Sequence, residues 1–131
     1  MAGDAEPGPL TRRVFDFVDV MEHLAPGAEA PDDWRPLAEF VAVERFERLG
    51  TFLEVQDWRQ YTEMLSQWAS TIDRFETTLR RVTESGRLVY YEVEERHFRH
   101  DNVNIVNSMT VFAFDDSGKI QHLDVYLQQA R

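Results

Sequence analysis

The chain has 131 residues, 43% hydrophobic and 12% aromatic, which suits one folded domain with a real core and excludes a disordered chain. Its 24 acidic side chains against 14 Lys and Arg give a formal net charge of -10, which argues against nucleic acid or an anionic membrane as partner, since both recruit clustered basic residues. No apolar run approaches the ~20 residues needed to cross a bilayer, no signal-peptide pattern is visible, and without cysteine there are no disulfides, thiolate nucleophiles or thiolate metal sites. A cytoplasmic protein is expected.

Residues 1–9, rich in Gly, Pro and acid, read as a flexible leader to a single domain over 10–131. Val14, Phe17, Val18, Met21 and Leu24 then recur at helical spacing, predicting an amphipathic helix over 10–24 with Thr11 as a candidate cap. Two prolines and a glycine end it. Asp32 or Asp33 is placed to cap a short second helix from Trp34 to about Phe40, with Pro36 in its first turn. Residues 41–52 (VAVERFERLGTF) are rich in β-branched and aromatic residues and predict a strand. Helical spacing returns at 57–72, where Trp58, Tyr61, Leu65, Trp68 and Ile72 share a stripe that reads as core and Asp57 is the cap.

Four strands follow, over 75–83, 87–99, 103–114 and 119–128. Glu84-Ser85-Gly86 and Asp115-Asp116-Ser117-Gly118 read as the hairpin turns between them. Helices early and an antiparallel meander late describe an α+β domain, a curved sheet with helices on its concave face. Alternation assigns the faces. In 87–99, Val89, Tyr91, Val93, Glu95 and His97 form the more apolar, inward side; in 119–128 the inward residues are Leu123, Val125 and Leu127, opposite Ile120, His122, Asp124 and Tyr126. Strand 103–114 is apolar on both faces, and alternation alone leaves it open.

In this order of elements, Val111-Phe112-Ala113-Phe114 followed by Asp116-Ser117-Gly118-Lys119-Ile120 resembles the penultimate-strand junction of SnoaL-like members of the nuclear transport factor 2-like superfamily. The run 72–76 leading through Glu84-Ser85-Gly86 to Leu88-Val89-Tyr90 resembles a hairpin of the limonene epoxide hydrolases. The resemblance spans about residues 10–128. It implies a cone-shaped α+β barrel, a mostly antiparallel sheet wrapped around N-terminal helices, usually homodimeric, with a cavity between sheet and helices. Its members include ketosteroid isomerases, polyketide cyclases, epoxide hydrolases and dehydratases that generally need no cofactor, alongside non-catalytic binding proteins. It also implies that Asn104, Val106, Ser108, Thr110 and Phe112 face inward and that Val103, Ile105, Met109 and Val111 form an apolar outer face suited to dimerisation.

Carried over by position, the ketosteroid isomerases' oxyanion-hole acid falls on Thr110, their general base near Arg45 and their helix tyrosine near Phe17. The epoxide hydrolases' three charged positions fall on Glu95, Val93 and Val125, of which only Glu95 keeps a charge. The candidate catalytic group is therefore Glu95 with His97, and Arg45 opposite them. Alternate strand residues stand roughly 6.5–7 Å apart, so Glu95 and His97 can share a substrate or a water. Phe17, Tyr91, Val93, Asn104, Ser108, Thr110, Phe112, Leu123, Val125 and Leu127 are the expected ligand wall. His97 and His100 fall on opposite faces of a strand, so no metal site is expected. Two functions stay open: a cofactor-independent acid–base enzyme (isomerase, cyclase, lyase or hydrolase) for a hydrophobic, oxygenated small molecule, or a non-catalytic dimeric ligand-binding or scaffold domain.

Overall fold

A computed structural model describes residues 7–130; residues 1–6, which hold most of the expected leader, lie outside the described residues. Helix α1 spans Pro9–Leu24 and buries Val14, Phe17 and Val18. Pro9 suits its first position, where an N–H would have no intrahelical partner. The expected cap, Thr11, lies inside the helix. The acceptor comes from far away in sequence: Glu84 Oε1 takes hydrogen bonds from both the Thr11 N–H and its hydroxyl, each at 2.8 Å. A carboxylate at a helix N-terminus also suits the helix dipole. Gly8 makes room for it, since a Cβ there would sit 2.5 Å from Glu84 Oε1.

Pro31–Phe40 winds as a 3₁₀ helix rather than as a short α-helix from Trp34. Pro36 is interior to it, and a proline there lacks an N–H and crowds the carbonyl four residues back, which disfavours α winding. Asp33 turns its carboxylate back onto the N–H groups of Glu29 and Ala30, at 2.8 and 3.0 Å. Trp34 is fully buried, and its Nε1–H donates to Ser66 Oγ at 3.1 Å, fastening this segment to helix α2, Trp58–Ala69. Asp57 caps α2 as expected, exchanging bonds with Gln60 in a reciprocal capping box.

The expected strand over 41–52 is mostly absent. Val41 makes a single bridge to Ile120, Val43–Arg45 forms one 3₁₀ turn, and only β1, Glu47–Leu49, pairs in the sheet, followed by a two-residue β2 at Val55–Gln56. The turn is closed by Arg45 N–H donating to the Ala42 carbonyl, so alternation restarts after it. Strands β3 (Arg74–Ser85), β4 (Leu88–Arg99), β5 (Asn102–Phe114) and β6 (Ile120–Gln129) form the meander. The sheet order is β2-β1-β6-β5-β4-β3, antiparallel throughout except that β1 runs parallel to β6.

Two register shifts bend this sheet, one in β3 between Leu79 and Arg81 and one opposite the Ala113–Phe114 step. The second corrects one face assignment. His122 pairs with Ala113 but Ile120 pairs with Phe114, so Gln121 is an extra residue and parity flips. Ile120 is therefore fully buried instead of sharing the outer face with His122. It packs at the closed end of the cone with Val14, Trp34, Leu37 and Phe114. Among the described residues, no helix is long and apolar enough to cross a membrane.

Because Glu84 supplies the acceptor that α1 lacks locally, Glu84→Ala is expected to lower stability by about 1 kcal/mol, the usual worth of a helix cap. Urea unfolding monitored by circular dichroism measures it, and an unchanged midpoint would refute the capping role.

Candidate active site

At the other end of the cone the apolar surfaces do not meet. They enclose a cavity of about 580 Å³ between α1, α2 and the concave face of the sheet. All ten residues of the expected ligand wall line it, from Phe17 on α1 through Tyr91 and Val93 on β4, Asn104, Ser108, Thr110 and Phe112 on β5, to Leu123, Val125 and Leu127 on β6. The inward face of β5, which alternation left open, is the one the resemblance implied. Asp124 turns outward with His122, whose Nε2 lies 2.8 Å from Asp124 Oδ1.

Glu95 and His97 both face the cavity, their side chains 19% and 14% exposed. A chain of hydrogen bonds holds them. Trp68 Nε1 donates to His97 Nδ1 at 3.0 Å, His97 Nε2 lies 2.9 Å from Glu95 Oε1, and Ser108 Oγ donates to Glu95 Oε2 at 2.5 Å. An indole N–H can only donate, so His97 Nδ1 must accept and its proton sits on Nε2, directed at Glu95. Both imidazole nitrogens are thus occupied by protein. Each carboxylate oxygen, by contrast, accepts one bond and has a lone pair to spare. Aromatic contacts flank the ring, Trp68 edge-on and Phe75 tilted, with centroids 5.6 and 5.2 Å from that of His97.

Arg45 is not opposite this pair. It is 67% exposed on its 3₁₀ turn and binds Asp115 Oδ2 at 2.8 Å. The break in alternation after that turn sends Phe46 and Arg48 inward instead, and Arg48 is the basic residue that enters the cavity wall from β1. Tyr61 and Trp68, read from the sequence as core, also line the site, and Trp68 brings its indole N–H to His97. The signal for Trp68 was its indole N–H, which needs an acceptor once buried. No local signal pointed to Arg48, because the parity of its strand was set by tertiary contacts.

Burial, opposed by Arg48 and reinforced by the negative charge of Glu95, pushes the Tyr61 phenol up to about 12. Tyr91 is also pushed up to about 12, by burial first, against a hydrogen bond to Thr77 and with Glu22, Asp19 and Glu95 adding to the rise. The Thr77 hydroxyl donates onward to Glu22 Oε2 at 2.6 Å, and burial raises the Glu22 carboxyl above its usual range. Both phenols are protonated donors at neutral pH.

No protein-family model matches the chain, and no curated protein matches it. Solved structures do. A candidate SnoaL-like polyketide cyclase from Jannaschia sp. CCS1 is 16% identical with a TM-score of 0.69, covering 95% of this chain and 91% of its own. An LEH-like epoxide hydrolase from M. tuberculosis is also 16% identical, with a TM-score of 0.70 over 91% of this chain and 82% of its own. A de novo designed protein with a curved β-sheet, 16% identical, superposes with a TM-score of 0.61 over 89% and 86%. The chain has the cone-shaped α+β fold of SnoaL-like and nuclear transport factor 2-like proteins.

The phenols give a pH signature with a definite sign. Their folded values stand above the unfolded value of 10, so between pH 10 and 12 only the unfolded chain releases these protons, and stability falls as pH rises through that window. The slope is at most about 1.4 kcal/mol per pH unit for each phenol. Urea unfolding at pH 10, 11 and 12 is expected to show a shallower slope for Tyr61→Phe than for the unchanged protein. Equal slopes would contradict it.

Proposed function

We propose that the protein is a cofactor-independent enzyme that acts by acid–base chemistry on a hydrophobic, oxygenated small molecule, with Glu95 as the general base. The observation that carries this reading is a carboxylate in an otherwise largely apolar cavity, oriented by His97 and Ser108 yet with acceptor capacity left over. His97 is a positioning residue, because both of its nitrogens are engaged. Thr110 lines the cavity and can donate from its hydroxyl to a substrate oxygen.

Among the reactions open to such a base, proton abstraction from carbon beside a carbonyl fits best. Val93 and Val125 line the cavity where the limonene epoxide hydrolases carry charged groups, so a three-charge system for activating water on an epoxide is not assembled here. The isomerase and cyclase types need only the base and donors to the carbonyl oxygen. The open cavity supports a ligand-binding role over a pure scaffold, since its volume falls in the range of small-molecule sites.

Exchange of α-protons for deuterium, followed by NMR across a panel of hydrophobic ketones and 1,3-dicarbonyls, tests the assignment. Glu95→Gln keeps the shape and, with its amide oxygen accepting from His97 and its NH2 donating to Ser108 Oγ, both contacts, so it is expected to retain ligand binding while exchange falls about 10²–10⁴-fold, the usual share of a general base. Full exchange activity in that variant would sink the proposal.

We further propose that the protein pairs with a second copy through the outer sheet face. Val103, Ile105 and Tyr126 are 47%, 50% and 60% exposed there, with Met109 and Val111 half-buried on the same face, apolar surface that a second copy would cover. Sedimentation velocity is expected to show a dimer that Ile105→Glu converts to monomer; a monomeric unchanged protein at micromolar concentration would refute this.

A further inference from the structure

Glu95 is not the only charge in the cavity. Arg48 pairs with Leu123, which pairs with Phe112, whereas Glu95 pairs with Val106; the two charges therefore lie at different depths of the cone, separated along β5 by the stretch from Phe112 to Val106. The Arg48 side chain is only 11% exposed. A guanidinium removed from water needs acceptors for five N–H donors. Arg48 has one close acceptor, the neutral Gln56 Oε1 at 2.9 Å. Glu54 Oε2 is 3.8 Å away, beyond hydrogen-bonding distance, and the Glu54 side chain is 42% exposed. Glu54 is itself held below the usual carboxylate range mainly by backbone N–H groups, its own and that of Phe52, with Arg48 contributing least. Arg48 therefore has one hydrogen-bonded acceptor and a loose ion pair with Glu54, which leaves N–H groups available to a ligand.

Tyr61 shares this end of the cavity. The Arg48 guanidinium carbon lies 5.6 Å from the Tyr61 ring centroid, and both residues line the same wall. The Tyr61 hydroxyl has no hydrogen-bond partner among the described residues. Two donors, one charged and one neutral, thus face an apolar cavity with bonds unmade. The protein as a whole carries a net charge of -10, so an anionic ligand is held only where a local cation overcomes the general repulsion. Arg48 is such a cation at this depth of the cavity; Arg99, at the end of β4, also lines the wall.

We propose that Arg48 and Tyr61 form an anion subsite that takes the carboxylate of an amphiphilic substrate, so that the molecule lies along the cavity with its reacting carbon toward Glu95. This rests on the acid–base reading for the direction of the substrate, but not for the subsite itself. The guanidinium offers charge-assisted hydrogen bonds and the phenol a third, a set that selects a carboxylate over an uncharged group of the same shape. The apolar wall between the two ends takes the hydrocarbon part.

The probes are 4-phenylbutanoate and 4-phenylbutanamide, which differ in charge and hardly in shape, titrated against the full chain by calorimetry. The unchanged protein is expected to bind the acid at least tenfold more tightly than the amide. Arg48→Gln is expected to abolish that preference while keeping amide binding, which also reports that the cavity is intact. Tyr61→Phe is expected to weaken the acid more than the amide, and Arg48→Lys to keep part of the preference. Equal affinity for the two probes in the unchanged protein, or no binding of the acid, overturns the proposal whatever the variants do; a preference that persists in Arg48→Gln overturns it too. Glu95→Gln is expected to keep the preference, so a failure of the acid–base reading and a failure of the anion subsite give different results.

Discussion

A carboxylate inside an apolar wall persists only where donors meet it, and the rest of the site depends on how Glu95 is met. Left unpaired, it would cost several kcal/mol. The bonds from Trp68 to His97, from His97 to Glu95 and from Ser108 to Glu95 come from three different elements, α2, β4 and β5. Removing any donor leaves a part-buried acceptor unmatched, a cost of about 1–3 kcal/mol each time. The same bonds therefore set the approach of α2 to the sheet at the cavity mouth, and the geometry of the base and the packing of the helix are one constraint.

Stability and chemistry occupy opposite ends of the cone. At the closed end Val14, Trp34, Leu37, Phe114 and Ile120 are essentially without exposure. Along β5 the inward residues change from Phe114 and Phe112 to Thr110 and Ser108 and, past Val106, to Asn104, so the wall becomes more polar as the cone opens. The two register shifts make this possible by bending a sheet whose strands are otherwise regular. The bend at Gln121 also brings Ile120 into the closed end, so one irregularity both curves the sheet and completes the core.

The meander was legible because period-two alternation over ten or more residues is a strong signal, and it placed Tyr91, Val93, Glu95 and His97 on the correct face without help. The stretch from Val41 to Phe52 was not, since its β-branched residues serve a bridge, a turn and three residues of strand. One consequence was to seek the basic residue of the site at Arg45 when the turn delivers Arg48. Ile120 was misplaced for a similar reason, as a single inserted residue reverses parity and leaves no mark in composition. Tyr61 and Trp68 were located correctly on a buried stripe, but periodicity says nothing about where a phenol or indole N–H finds its partner. Thr11 read as a cap from its residue type and place, whereas the acceptor at this helix end is Glu84, brought in by tertiary structure.

The constraint on Glu95 also limits what the chemistry in the proposed enzyme can be. His97 holds its proton on Nε2, directed at Glu95, while Trp68 occupies Nδ1, so it cannot pass protons without breaking the contact that positions the base. The phenols of Tyr61 and Tyr91, pushed up to about 12, donate hydrogen bonds at neutral pH but are poor proton donors. A single group is then left to take a proton and to give it back. A proton removed from carbon by Glu95 returns from Glu95, to the same face of the substrate, while the donors steady the charge that develops on oxygen. Such an arrangement suits reactions that move a proton or close a ring without net consumption of acid or base, and disfavours those that need an independent acid on the opposite face.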